Sequence, residues 1–273
     1  MATRRQVTAA KKNIKKARAS AQKRRSIANM PAKTRSALGR QGAAVAVNYR
    51  NRAAEAEAVA ADIVAGGSRA LAIGGDVSEP GEAEQVAKTA TAAFGDIDVL
   101  VCSAFGSTDG MIERHRPGSS TLDAAAIEAV LGRAHVQLAA TLYACRAVVP
   151  GMRRRGGGSI VLIGAAGSRG GQNAGPAEIV AAKAAQDALA RVLAEELGPD
   201  RIRVNVIAPG MVPTDANAGQ RQEFIMAALG KMTPLGRVAG VDDVADAVLA
   251  FATDLTRHVT GAYVPVDGGR ILL

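Results

Sequence analysis

The chain has 273 residues, long enough for one large α/β domain with a full core, and 48% of them are hydrophobic. Its formal net charge of +9 is segregated: fifteen of the 34 Lys and Arg precede the first acidic residue, Glu55, after which 25 Asp and Glu outweigh the remaining 19 basic residues. The basicity therefore belongs to a leader, and it does not make the whole chain a nucleic-acid binder. The absence of Trp and an aromatic content of 3% argue against an aromatic stacking platform for bases. Two cysteines, Cys102 and Cys145, are too few for a disulfide framework and stand at no metal-ligand spacing. With no run of eighteen apolar residues and no secretory pattern in the leader, the expectation is a cytoplasmic protein that does not enter a membrane.

In chain order, residues 1–37 carry good helix formers without an apolar stripe, so this basic tail is expected to be disordered or transiently helical, with Pro31 breaking any helix. From Gly42 onward, β-branched runs alternate with Ala-rich amphipathic stretches, the pattern of a parallel sheet with crossover helices. The spacing predicts a strand over 43–50, a helix over 53–65, a strand over 69–76, a helix over 81–94 and a strand over 97–103. A loop over 105–120 precedes a helix over 122–154, a strand over 159–165 and a helix over 177–197 stopped by Gly198-Pro199. A strand over 203–208, an irregular lid-like stretch to Pro234, a helix over 241–251 and a strand over 262–266 complete the domain, 38–273.

Five pieces in this order resemble the short-chain dehydrogenase/reductase family: Asn48-Tyr49-Arg50, Gly75-Asp76-Val77, Ala181-Ala182-Lys183-Ala184-Ala185, Arg203 to Gly210, and Val264-Pro265-Val266-Asp267-Gly268-Gly269. The resemblance implies a doubly wound parallel sheet, Rossmann-like, holding NAD(P)(H) at its carboxyl edge, with a small alcohol or carbonyl compound as substrate and assembly as a homo-oligomer. No carboxylate ends the family's second strand, where an acid would bind the ribose 2′-hydroxyl. Arg50 stands there instead, and a guanidinium pairs with a 2′-phosphate, so NADP(H) is the expected cofactor. Asp76 and Val77 match positions near the adenine, although Asp76 has the alternative reading of a helix cap. Ser103 and Ala104 match the turn after the fourth strand, while Pro209, Gly210 and Thr214 match the segment that meets the carboxamide. Lys183 matches both a catalytic and a cofactor-binding position.

The chain departs from the family in two places. Upstream of Leu38 there is neither a β-branched run nor the Thr-Gly-x-x-x-Gly-x-Gly turn that cradles the pyrophosphate. A sheet incomplete at its first strand is the expectation, strained because each unsatisfied buried backbone group costs about 1–3 kcal/mol. The family's catalytic Tyr, four residues before the Lys, is Ile179, which cannot exchange a proton. The family's Ser falls at Ala165 or Ala166, and its Asn at Gln137. Glu178, His135, Tyr143 and Ser168 are the other groups able to supply an acid, none at a spacing better than chance.

Two readings follow. One is an oxidoreductase by descent, linked to NADP(H) and catalytically impaired, a pseudoenzyme in the limit. The other is a non-catalytic scaffold whose basic arm, residues 1–37, binds nucleic acid non-specifically.

Overall fold

In the computed structural model of the chain, the alternating runs become the strands and crossover helices of one parallel sheet. The structure describes residues 25–28, 38–103, 120–170, 176–213 and 220–271. The elements are β1 (Arg25–Ala28), β2 (Ala44–Tyr49), α1 (Ala53–Ala65), β3 (Ala70–Gly74), α2 (Pro80–Phe94), β4 (Val99–Cys102), α3 (Ala124–Arg154), β5 (Gly158–Ile163), α4 (Ala177–Leu197), β6 (Ile202–Pro209), α5 (Gln220–Lys231), α6 (Val241–Ala252) and β7 (Tyr263–Val266). A 3-10 turn, Ala166–Arg169, follows β5.

The seven strands lie in the order β3-β2-β1-β4-β5-β6-β7, all paired in parallel. The order reverses at β1, so a crevice is expected at the carboxyl ends of β1 and β4. The sheet is complete where the sequence suggested a gap. Ile27 of the leader pairs with Ala46 on one side and Leu100 on the other. A central position presents backbone donors and acceptors from both neighbours, and a four-residue segment answers them through its main chain whatever its side-chain propensity. Residues 25–28 thus belong with the sheet, and the rest of 1–37 lies outside the described residues.

A second difference is α5, which occupies most of the stretch expected to be irregular. Its residues, Gln-Arg-Gln-Glu-Phe-Ile-Met-Ala-Ala-Leu-Gly-Lys, are mostly good helix formers, and the nearest prolines, Pro213 and Pro234, lie beyond its ends. The predicted loop over 105–120 lies almost wholly outside the described residues.

Alternation along β4 separates two cores. Leu100 and Cys102 face α2, α3 and α4, packing with Val86, Val148, Met152 and Leu193. Val99 and Val101 face α1 and α6, packing with Val59, Ile63, Val244 and Val248. Continuous apolar strands covered on both faces are what an α/β sheet requires. The far end of α3 is fixed to the amino edge of the sheet by three consecutive ion pairs: Arg153 to Asp200 at 2.7 Å, Arg154 to Asp96 at 2.6 Å and Arg155 to Asp98 at 2.5 Å. Cations in the last turn also complement the helix dipole. Close packing at the opposite edge needs Gly164, where a Cβ would come within 2.7 Å of Val206.

Candidate active site

Lys183 sits one helical turn after Ile179 on α4, so both side chains share a face. Its ammonium donates to the Ile163 carbonyl oxygen at 2.6 Å, which brings Nζ to the carboxyl end of β5. The side chain is only 4% exposed. Burial lowers its pKa to about 7, with Cys102 opposing the shift and the Arg133 charge adding to it. A chain of polar contacts holds the amine from the other side: Gln186 Oε1 lies 3.5 Å away, Gln186 Nε2 donates to Thr141 Oγ1 at 3.0 Å, and Thr141 donates to the Gln137 carbonyl oxygen at 2.8 Å.

The groups around this amine are those anticipated, minus their hydroxyls. Ile179 is half-buried. Ala165 is extended and half-buried, while Ala166 is buried and opens the 3-10 turn. Both ends of the buried Gln137 carboxamide lack a hydrogen-bond partner. Such a group costs stability until something pairs with it, which marks a polar place rather than a packing residue.

The other proposed acids do not join Lys183. His135 is exposed on α3. Tyr143 lines a cavity of about 90 Å³ between α2 and α3, with Pro80, Glu84 and Arg146. Ser168 Oγ lies 3.2 Å from the Tyr263 hydroxyl. Glu178 is buried on α4, beside Ile179 in sequence but about 100° around the helix from it.

At the other end of the crevice, Arg50 follows β2 and is half-exposed, its Nη1 3.3 Å from Asp76 Oδ2. Burial raises the Asp76 pKa, but hydrogen bonds from the Ser78 hydroxyl and backbone N–H, together with Arg50, outweigh it and hold the carboxyl below its usual range. Asp76 thus closes the turn that leads into α2 as well as pairing with Arg50. Asn48 ties the exits of β2 and β3 together, donating to the carbonyl oxygens of Ile73 at 3.1 Å and Gly75 at 3.0 Å, and its own carbonyl oxygen is buried without a partner. Val77 packs at the edge of the core, and Ser103 is half-buried just beyond β4. Pro209 ends β6, and Gly210 donates to the Val266 carbonyl oxygen at 3.1 Å. Ala104 and Thr214 lie outside the described residues.

Several residues here had no sequence signal. Arg133, buried on α3 one turn before Gln137, acts electrostatically on Lys183. Tyr263 of β7 donates to the Ala165 carbonyl oxygen at 2.7 Å, and Arg169, paired with Asp187 at 2.8 and 3.0 Å, lies over the Tyr263 ring at 4.0 Å. Together they pin the loop that follows β5. Only the structure brings these three together, from positions 94 and 18 residues apart. Cys102 and Cys145 are buried side by side, and the hydrogen bond between them, with burial, pushes the Cys102 thiol well above its ordinary range. That makes Cys102 a core thiol rather than a nucleophile.

A NAD(P)(H) molecule fits these residues at its two ends. Arg50 offers a cation for a 2′-phosphate, and Lys183, Ser103 and the unpaired Gln137 amide offer polar contacts at the carboxyl edge. Residues 29–37, where the family has its glycine turn, contain no glycine and lie outside the described residues.

Comparison with known proteins agrees with the topology. The sequence model described as "Enoyl-(Acyl carrier protein) reductase" matches residues 21–270, so the match includes β1. A cyclohexanol dehydrogenase from Rhodococcus sp. (strain TK6) is 33% identical over 85% of this chain and 88% of its own length. A 3-oxoacyl-[acyl-carrier-protein] reductase from Synechocystis sp. is 31% identical over 86% and 90%. Among solved structures, a mutant of a short-chain dehydrogenase/reductase from Serratia marcescens superposes with a TM-score of 0.73 at 26% identity, covering 90% of this chain and 97% of that one. In sequence, in strand order and in the placement of Lys183, the chain belongs to the short-chain dehydrogenase/reductase family.

Proposed function

We propose that the chain is an oxidoreductase that interconverts small alcohols and carbonyl compounds using NADP(H), with proton transfer slowed by the loss of the family's Tyr and Ser. The observation that carries this reading is Lys183, buried and held at the carboxyl end of β5 beside Ile179 and Ala166. Family relationship and the crevice support hydride chemistry; Arg50 at the end of β2 supports the phosphorylated cofactor. Lys183, Ser103, Ala104, Pro209, Gly210 and Thr214 would hold the nicotinamide half, and Arg50, Asp76 and Val77 the adenosine half. Bound nicotinamide supplies the hydride, while the chain orients the substrate and handles the proton.

The test is a comparison of NADPH with NADH binding in the wild-type chain and in Arg50→Ala. A guanidinium on an exposed phosphate is expected to favour NADPH about tenfold, or about 1.4 kcal/mol, and Arg50→Ala to remove that preference without weakening NADH. Equal binding of the two cofactors by the wild-type chain would overturn the assignment.

The basic leader favours a second, compatible reading, a non-specific hold on nucleic acid through residues 1–37. It predicts retention that falls steeply with salt and disappears when residues 1–24 are removed. Assembly into a homo-oligomer is supported by the exposed apolar side chains Leu131 and Leu142 of α3 and Val192 of α4, and is read by the mass in solution.

A further inference from the structure

The family resemblance leaves a vacancy at the proton: with Ile179 in place of the Tyr, no phenol stands above Lys183. We propose that Lys183 itself is the proton donor and acceptor for the carbonyl–alcohol interconversion in this chain. The inference rests on the oxidoreductase reading and adds the identity of the acid. In reduction, an Nζ–H bond of the ammonium breaks as the O–H bond of the product alcohol forms, leaving a neutral amine that regains its proton from solvent. In oxidation, the amine takes the hydroxyl proton.

Geometry supports the assignment. Nζ lies 2.6 Å from the Ile163 carbonyl oxygen, at the carboxyl edge where the crevice opens. The residues on either side that could have competed for the proton, Ile179, Ala165 and Ala166, carry no exchangeable side-chain hydrogen. His135, Tyr143 and Ser168 are engaged or directed elsewhere. Gln186 and Thr141 fix the amine from α3, so its position does not depend on the missing phenol.

Electrostatics agrees with this role. The groups acting on the amine are Cys102 of β4, itself bonded to Cys145 of α3, and Arg133 of α3; on α4, Glu178 is buried five residues before Lys183, and Asp187 pairs with Arg169 and Arg191. Burial, with Arg133, brings the lysine to about 7, near the pH at which an acid–base catalyst is most effective. In the family the lysine adjusts a phenol; here the same burial adjusts the lysine.

Two readouts test the proposal. In protein labelled with 13C and 15N at lysine, the Lys183 side chain, assigned by its disappearance in Lys183→Arg, should titrate near 7. A titration near 10 would overturn the proposal. In turnover of cyclohexanone and a panel of small aldehydes with NADPH, the rate should fall about tenfold per pH unit above 7. Lys183→Arg keeps the charge but does not titrate, and should lower the rate about 100-fold or more while leaving NADPH affinity within a few-fold. Rescue of Lys183→Ala by added methylamine would identify the amine as the acid. Bound NADPH with no turnover in the wild-type chain, or turnover unchanged in Lys183→Arg, would overturn the proposal and leave the cofactor reading standing. Absence of NADPH binding would overturn both.

Discussion

A buried lysine whose pKa has fallen from 10.5 to about 7 destabilises the fold at neutral pH, because the unfolded chain keeps the proton that the folded chain loses. Between about 7 and 10.5 the unfolded state binds more protons, so stability rises with pH across this window and is flat below it. Lys183→Met should therefore stabilise the chain at pH 7 by on the order of 1–3 kcal/mol, with a gain that shrinks toward pH 10, as read by urea midpoints. No gain at pH 7 would mean the ammonium is better compensated than its burial indicates. The converse substitution, Ile179→Tyr with Ala166→Ser, restores both lost hydroxyls. It should raise the turnover number about 10²-fold or more, the usual range for a positioned acid, measured on the same carbonyl panel. Lys183, Ile179 and Gln137 were legible in the sequence because helical spacing and strand order fix where they fall. Arg133 and Tyr263 were not, since a buried Arg on an Ala-rich helix and a Tyr in a four-residue strand acquire meaning only from partners distant in sequence.

Among the elements, the loop after β5 depends on side chains from β7 and α4. Tyr263 accepts or donates at Ser168, donates to the Ala165 carbonyl, and lies under the Arg169 guanidinium that Asp187 holds. Tyr263→Phe keeps the ring and the cation–π contact but deletes the hydroxyl. The expected cost is about 1 kcal/mol of stability, with a larger effect on KM than on NADPH affinity because the loop borders the substrate side. Equal loss of NADPH affinity would place the loop's role at the cofactor instead. The helices α1 and α4 matched their sequence bounds because both have clear stops: Gly66-Gly67 ends α1, and Gly198-Pro199 ends α4. The helix α5 was missed because no such stop stands beside it and the turn residues around Gly210 dominate the reading.

For the molecule as a whole, the decisive element is β1, which pairs on both sides and separates the two halves of the sheet. Its four residues, Arg-Ser-Ile-Ala, gave no strand signal because a central strand can be defined by its neighbours' unpaired backbone rather than by its own side chains. Ile27→Pro removes a donor and fixes φ in the middle of that strand. A loss of about 3 kcal/mol or more is expected in denaturant unfolding, whereas a leader with no part in the sheet would tolerate the change. The doubly wound architecture itself was legible, since alternating apolar runs and Ala-rich helices admit few other packings. The pyrophosphate side of the crevice was not, because the family's glycines are absent there and no other sequence signal takes their place.

Titration of NADPH by its own fluorescence, in salt high enough to screen the leader's charge, tests the central claim that this family member retains a cofactor crevice. The account predicts saturable binding that NADP+ displaces and that Arg50→Ala weakens about tenfold. A featureless titration, or binding that salt abolishes, would contradict it.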